Sequence, residues 1–284
     1  MNCELCPRRC GKRPGFCGVG EEVKIARAAL HLWEEPCISG GSGSGTVFFS
    51  GCTLGCIFCQ NREISAGGFG QEISVARLRE IFSELVAKGA NNINLVSPTQ
   101  FTPWILEALD PPLPVPVVWN TGGYERVETL QALEGKVQIY LPDLKYVSPE
   151  LSRRYSGAAD YFDVASKAIL EMFRQTGPWS MGDDGLLQRG VVIRHMMLPG
   201  CLADTKRVID WVAEQFRPGD VLFSLMSQYT PMPGVPAEID RKVRAAEYRA
   251  AAQYMENCGI TDGFLQDSTS AKEEYTPPFD LTGV

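Results

Sequence analysis

The chain has 284 residues, of which 44% are hydrophobic and 21% charged. This is an ordinary balance for a chain that buries a core in one large or two small domains, and it excludes disorder, a collagen-like repeat and a coiled coil. Twenty-seven basic and 34 acidic residues give a net charge of −7, opposite in sign to that of a typical duplex or tRNA binder, so no nucleic acid is expected as a partner.

The first 20 residues are rich in Cys, Arg and Gly and show no hydrophobic period; they read as a small metal-knit knuckle. They also lack the apolar stretch of a secretory signal, and no run in the chain approaches the roughly 18 apolar residues of a membrane span. The expectation is a cytoplasmic protein with no membrane partner. Residues 24–34 are short and mixed, with Trp33 expected to pack on the neighbouring downstream segment. Residues 39–45, Ser-Gly-Gly-Ser-Gly-Ser-Gly, read as a tight loop that lets backbone approach a ligand closely, or else as a linker. Thr46–Ser50 then reads as a buried strand and 74–88 as a helix, with Val75, Leu78, Ile81, Phe82 and Leu85 at helical spacing. Further strands are expected at 92–97, 115–119, 137–141, 190–198 and 221–227, with helices at 101–109, 125–134, 159–175, 203–215 and 238–257. Residues 177–189 read as a hairpin at the rim, and 270–284 as an extended tail. Strands separated by helices of ten or more residues mean βαβ units and a parallel sheet. Six such units fall short of the eight of a complete barrel, so the expected fold is α/β, an open or partial (β/α)6 barrel. The expected organisation is a Cys-rich segment over 1–38, the barrel over 39–235, and a C-terminal helix and tail over 236–284.

The chemistry lies in the cysteines. Seven of the ten fall in two clumps, Cys3, Cys6, Cys10 and Cys17, then Cys52, Cys56 and Cys59; Cys37, Cys201 and Cys258 stand apart. Close spacing in a chain with no export signal points to metal or iron–sulfur ligation. The second clump is C-x3-C-x2-C, just after the first barrel strand, where ligands gather in parallel α/β folds. Three thiolates can grip three corners of a [4Fe–4S] cubane and leave one iron open, the mark of a reactive rather than a closed site. Gly51 and Gly55 let backbone wrap the cluster. The first clump supplies four thiolates, a closed set that suits zinc or a second iron–sulfur cluster. Cys37, Cys201 and Cys258 read as packing or surface thiols.

The C-x3-C-x2-C loop, with Phe58 before its third cysteine, resembles the signature of radical S-adenosylmethionine (SAM) enzymes. Trp33-Glu34-Glu35-Pro36, Phe48-Phe49-Ser50-Gly51-Cys52 and Cys59-Gln60-Asn61 resemble one subgroup of the glycyl-radical-enzyme activases, relatives of the pyruvate formate-lyase activating enzyme. The resemblance implies a radical SAM barrel in which SAM chelates the open iron. An electron from the cluster then splits a carbon–sulfur bond, giving methionine and a 5′-deoxyadenosyl radical that abstracts hydrogen. It implies a glycyl radical enzyme as protein substrate and a flavodoxin- or ferredoxin-type electron donor.

Other strand ends are similar to the family's motifs. Asn120-Thr121-Gly122-Gly123 stands where activases carry Asp-Thr-Asn-Gly, and Asp143-Leu144-Lys145 matches Asp-Leu-Lys. Lys145 suits the methionine carboxylate, Asp143 can accept from it, Arg194 can fork onto a carboxylate, and Met196 can cover the adenine. His195 reads equally as a core histidine. The family's Gly-Gly-Glu, which holds the methionine amino group, is replaced by Ser97-Pro98-Thr99-Gln100; backbone carbonyls and the Ser97 or Thr99 hydroxyl are the candidate acceptors. Two alternatives stay open from the residues: a radical SAM enzyme acting on a small molecule or peptide, and an iron–sulfur electron carrier that does not cleave SAM.

Overall fold

The computed structural model describes residues 3–266 and 277–284. In chain order the elements are β1 (Val23–His31), α1 (Pro36–Ser39), β2 (Ser44–Phe49), α2 (Arg62–Ser65), β3 (Gln71–Ile73), α3 (Val75–Ala87), β4 (Ile93–Val96) and α4 (Thr102–Ala108). They continue with β5 (Val117–Thr121), α5 (Val127–Gln131), β6 (Ile139–Pro142), α6 (Pro149–Ser156), α7 (Tyr161–Thr176), β7 (Ser180–Met181) and β8 (Leu187–Met196). The last are α8 (Leu202–Gln215), β9 (Leu222–Met226), α9 (Ala245–Asn257) and β10 (Gly263–Leu265).

The strands form one sheet in the order β10-β9-β8-β6-β5-β4-β2-β1-β3, with β7 paired to β8. From β2 to β10 each neighbouring pair is parallel, which gives the partial α/β barrel. The six expected strands are its core. Sequence reasoning missed β1, which lies antiparallel on β2, and β3, antiparallel on β1. Lys24, Arg27, His31 and three small residues of β1 dilute its apolar alternation, because only one face of this strand is buried. The hairpin is present as β7 and the start of β8. The long helix expected at 159–175 is preceded by α6, whose Ser148 cap accepts from the Leu151 N–H and whose Gly157 turns left-handed (φ 62) to end it.

Strand parity divides the core in two. Val117, Trp119, Tyr140, Val191, Ile193 and Phe223 face outward to the helices, in the large core. Val118, Ile139, Leu141, Val192 and Leu222 face inward, where Cys37 and Ile38 of α1 plug the barrel. The same period of two places Asn120, Arg194 and Met196 inside and His195 outside. Cys37 is thus a packing residue.

One expectation changes. The Gly/Ser stretch approaches protein rather than ligand: a Cβ on Gly40 would stand 2.6 Å from Leu186 Cδ2, and one on Gly45 2.9 Å from Ala90 Cβ. Both contacts lie at the amino ends of the strands, away from the cysteine loop. Trp33 is 59% exposed. The tail expected at 270–284 falls partly outside the described residues. Its described part runs along β1, with Leu281 N–H donating to Ala26 O (3.1 Å) and Ala28 N–H to Thr282 O (2.8 Å).

At the carboxyl ends, Gly123 holds the β5 turn against the β6 turn: φ is +81, and a Cβ there would lie 2.2 Å from Asp143 O. Gly123→Ala is expected to lower unfolding stability by at least about 2 kcal/mol in denaturant titration, because backbone strain and a backbone clash add.

Candidate metal and cofactor site

Cys52, Cys56 and Cys59 line one cavity of about 230 Å³ at the carboxyl ends of the strands, together with Ser97, Asn120, Thr121, Asp143, Lys145, Arg194 and Met196. Burial pushes the Cys52 thiol up to about 12, and the neighbouring Cys56 and Cys59 push the same way. Burial also raises Cys56, opposed by the Lys145 ammonium. Two thiols whose ionisation is disfavoured, Cys52 and Cys56, fit a cationic iron cluster, which would stabilise cysteine ligands as thiolates. The loop is held from outside. Leu54 N–H lies 3.4 Å from Cys52 Sγ, Ser65 Oγ donates to Cys59 Sγ (3.3 Å), and Ser156 Oγ lies 3.0 Å from Cys56 Sγ.

Beside the sulfurs runs a chain of alternating charge. Lys145 Nζ donates to Asp143 Oδ2 (2.6 Å), and Arg194 Nε donates to Asp143 Oδ1 (3.0 Å). Arg194 Nη1 then donates to Glu34 Oε1 (3.0 Å). Asn120 ties in twice: its Oδ1 accepts from Arg194 Nη2 (2.7 Å) and its Nδ2 donates to Glu34 Oε2 (2.8 Å). Burial pushes the Asp143 carboxyl up, but Arg194 and Lys145 outweigh it and hold the group below its ordinary range. Burial likewise opposes the Lys145 and Arg194 cations, and the facing carboxylates prevail and raise both.

This geometry changes two expected roles. The Arg194 fork is occupied by the chain's own Asp143 and Glu34, so Arg194 organises the site instead of presenting a free fork. Thr99 is buried away from the cavity, its hydroxyl donating to Glu125 Oε1 (2.5 Å). Thr121 lines the cavity, yet its hydroxyl also donates to Glu125. Of the two hydroxyls considered for an amino group, only Ser97 remains at the cavity wall. Ser97 stands at φ 54, its N–H on Asn120 O (2.9 Å). His195 is buried between Leu144 O (2.7 Å) and Thr205 Oγ1 (3.0 Å), and burial lowers its pKa to about 4. It is a neutral structural residue.

Sequence reasoning missed several organising residues. Glu34 and Glu35 enter the barrel from the segment after β1, Glu35 accepting from Ser224 Oγ (2.9 Å). In the sequence these adjacent acids before Pro36 stand out only as part of a resemblance; two acids in a segment that returns into a barrel were the available signal. Gln100 Nε2 donates to Ser50 O (3.0 Å), Gly51 O (3.1 Å) and Ser97 O (2.8 Å), joining the cysteine loop to the turn after β4. Nothing local in the sequence marks it.

A family profile for the radical SAM superfamily matches residues 46–212. The chain belongs to this superfamily. Its members use a [4Fe–4S] cluster and SAM in radical chemistry. An uncharacterized protein of Methanocaldococcus jannaschii is 30% identical over 244 residues, covering 81% of this chain and 66% of the relative. Streptococcus suis SuiB, solved bound to precursor peptide SuiA, aligns with TM-score 0.51 at 14% identity over 76% of this chain and 46% of SuiB. The [FeFe]-hydrogenase maturase HydG aligns with TM-score 0.52 at 11% identity, over 75% of this chain and 48% of HydG. The chain thus spans under half of each of these two enzymes and just under two thirds of the relative. No helix among the described residues is long and apolar enough to cross a membrane.

The N-terminal cysteines sit beside the radical SAM loop. Cys10 Sγ accepts from Phe16 N–H (3.2 Å), Cys6 from the Arg8 N–H and Cys17 from the Val19 N–H.

Glu125 is 1% exposed. Burial raises its carboxyl to about 7, against hydrogen bonds from Thr121 and Thr99 that favour the ionised form. A carboxyl raised on folding stabilises most below its unfolded pKa, and that contribution is lost as pH rises through the folded value. Relative to Glu125→Gln, the parent should therefore lose up to about 3 kcal/mol of unfolding stability between roughly pH 4.5 and 7. Denaturant titrations across that range check it; parallel curves would contradict it.

Proposed function

We propose that the chain uses its cysteine loop to cleave SAM and abstracts a hydrogen atom from a backbone glycine of a partner glycyl radical enzyme. The observation that carries this reading is the single cavity where Cys52, Cys56 and Cys59 meet Ser97, Asn120 and Lys145. When bound, the cluster supplies one electron to the carbon–sulfur bond of SAM. Cys52, Cys56 and Cys59 are its ligands. Lys145, fixed by Asp143, faces the methionine carboxylate; Ser97 and the carbonyls beside it accept from the amino group; Met196 covers the adenine. The inward apolar layer and α1 exclude water from beneath.

A protein substrate is supported by the open side of the barrel. A second, larger cavity of about 670 Å³ lies between the segment around Trp33 and Glu34 and strand β10, and it shares Met226 and Gln228 with the cysteine-lined cavity. A polypeptide loop entering there reaches the site. A small molecule or peptide is the second reading, favoured by the polar recess of His31, Glu34, Gln60, Asn61 and Gln228 next to it.

Anaerobic, iron-loaded protein reduced with dithionite should release 5′-deoxyadenosine from SAM. The Cys52/Cys56/Cys59→Ala variant should lose four irons per chain and all release. Adding a candidate glycyl radical enzyme should produce the electron-spin doublet of a stable glycyl radical; SAM cleavage with no such signal on any candidate favours the second reading.

A further inference from the structure

The reaction proposed above takes one electron from outside the chain, and the cysteine loop reaches the surface on one face. Gly55, just before Cys56, is exposed. Phe16 of the N-terminal knuckle, 50% exposed, lies against it: a Cβ on Gly55 would stand 3.3 Å from Phe16 Cζ. Gly55 N–H donates to Ser156 O (3.3 Å) and Ile57 N–H to Tyr155 O (2.9 Å), so the end of α6 flanks Cys56 directly. Arg8 fastens the three parts together. Its guanidinium sits 3.9 Å from the Phe16 ring centroid, its Nε donates to Thr53 O (3.0 Å), and its Nη1 donates to Gly157 O (2.8 Å).

This face is basic in an acidic protein. Residues 3–17 hold Arg8, Arg9, Lys12 and Arg13 against Glu4 alone, in a chain of net charge −7. Arg9 and Lys12 are exposed, as are Arg153 and Arg154 of α6. Three acids at its rim are held by arginines, Glu4 and Glu128 by Arg126 and Glu238 by Arg154, while Glu150 of α6 is exposed beside Arg153 and Arg154. The SAM-side cavity opens on the inner side of the same loop.

We propose that this face, centred on Phe16 and Gly55, docks a small acidic one-electron carrier protein, so that the electron enters from the side opposite SAM. The inference rests on the functional reading above. The reduced carrier gives up one electron and the cluster held by Cys52, Cys56 and Cys59 gains it; no bond forms and no proton moves. Basic charge around an apolar centre steers an acidic partner and orients it, and salt weakens the attraction.

The test uses oxidised flavodoxin as the carrier, titrated anaerobically into iron-loaded protein at low and high potassium chloride. An Arg9→Glu/Lys12→Glu/Arg153→Glu variant is compared with the parent and with a Lys88→Glu/Arg217→Glu control at the far end of the barrel. The triple variant should bind at least about tenfold more weakly at low salt, with a flattened salt dependence. Its iron content and dithionite-driven SAM cleavage should match the parent, while flavodoxin-driven cleavage falls. Unchanged affinity in the triple variant, or an equal loss in the control, would overturn the proposal. So would salt-dependent binding of a random oligonucleotide that the triple variant loses while flavodoxin binding stays. Absence of dithionite-driven cleavage in the parent would refute the functional reading, and the titration would still decide the docking face.

Discussion

Four buried charges, Lys145, Asp143, Arg194 and Glu34, must neutralise one another inside the barrel, and the geometry of the site depends on that pairing. Their side chains are between 12% and 21% exposed, too little for water to compensate a lone charge. Deleting one member of such a set leaves its partner stranded, typically at about 3–5 kcal/mol. The set joins the ends of β6 and β8 to the segment after β1, and Asn120 brings in β5. The strand ends that face the cysteine loop are thus fixed by electrostatics as well as by the sheet. Lys145 stays cationic and aimed at the cavity because Asp143 holds it there.

Much of this was legible from sequence. The cysteine loop announced itself by spacing and by its place after an apolar strand, and six strands alternating with helices pointed to the partial barrel. Parity within β8 was also readable: Val192, Arg194 and Met196 share one face, so His195 had to lie on the other. The residues that escaped are those whose partners are distant in sequence. Glu34 meets Asn94, Asn120 and Arg194, contacts that no local pattern encodes. Gln100 resembles an ordinary loop residue until the ends of β2 and β4 are brought together. Thr99 looked like an acceptor at a strand end, and the buried Glu125 carboxyl drew its hydroxyl away. The Gly/Ser run is a site of close approach, as its composition suggests, but the approaching groups are Leu186, Ala90 and Asn92 rather than a ligand.

The N-terminal segment links these levels. Its arginines spend their donors on backbone of the main fold: Arg8 on Thr53 and Gly157, Arg13 on Gln100 O (2.6 Å). The Cys17 carbonyl lies where a Cβ on Gly51 would be, 2.6 Å away, so glycine is required just before Cys52. A segment that looked like a separate knuckle is one wall of the cysteine loop, and its charge differs in sign from the rest of the chain. The two sides of that loop consequently offer different chemistry, a buried polar cavity within and a basic surface without.

Three thiolates on a four-iron cluster leave one iron for SAM. Mössbauer spectroscopy of protein reconstituted with 57Fe, recorded before and after SAM is added, tests this most directly. One iron in four should change its isomer shift on adding SAM, as its coordination number rises. Four irons that keep identical parameters would mean that the fourth corner is already closed, and would contradict the assignment of Cys52, Cys56 and Cys59 as the ligands of a SAM-binding cluster.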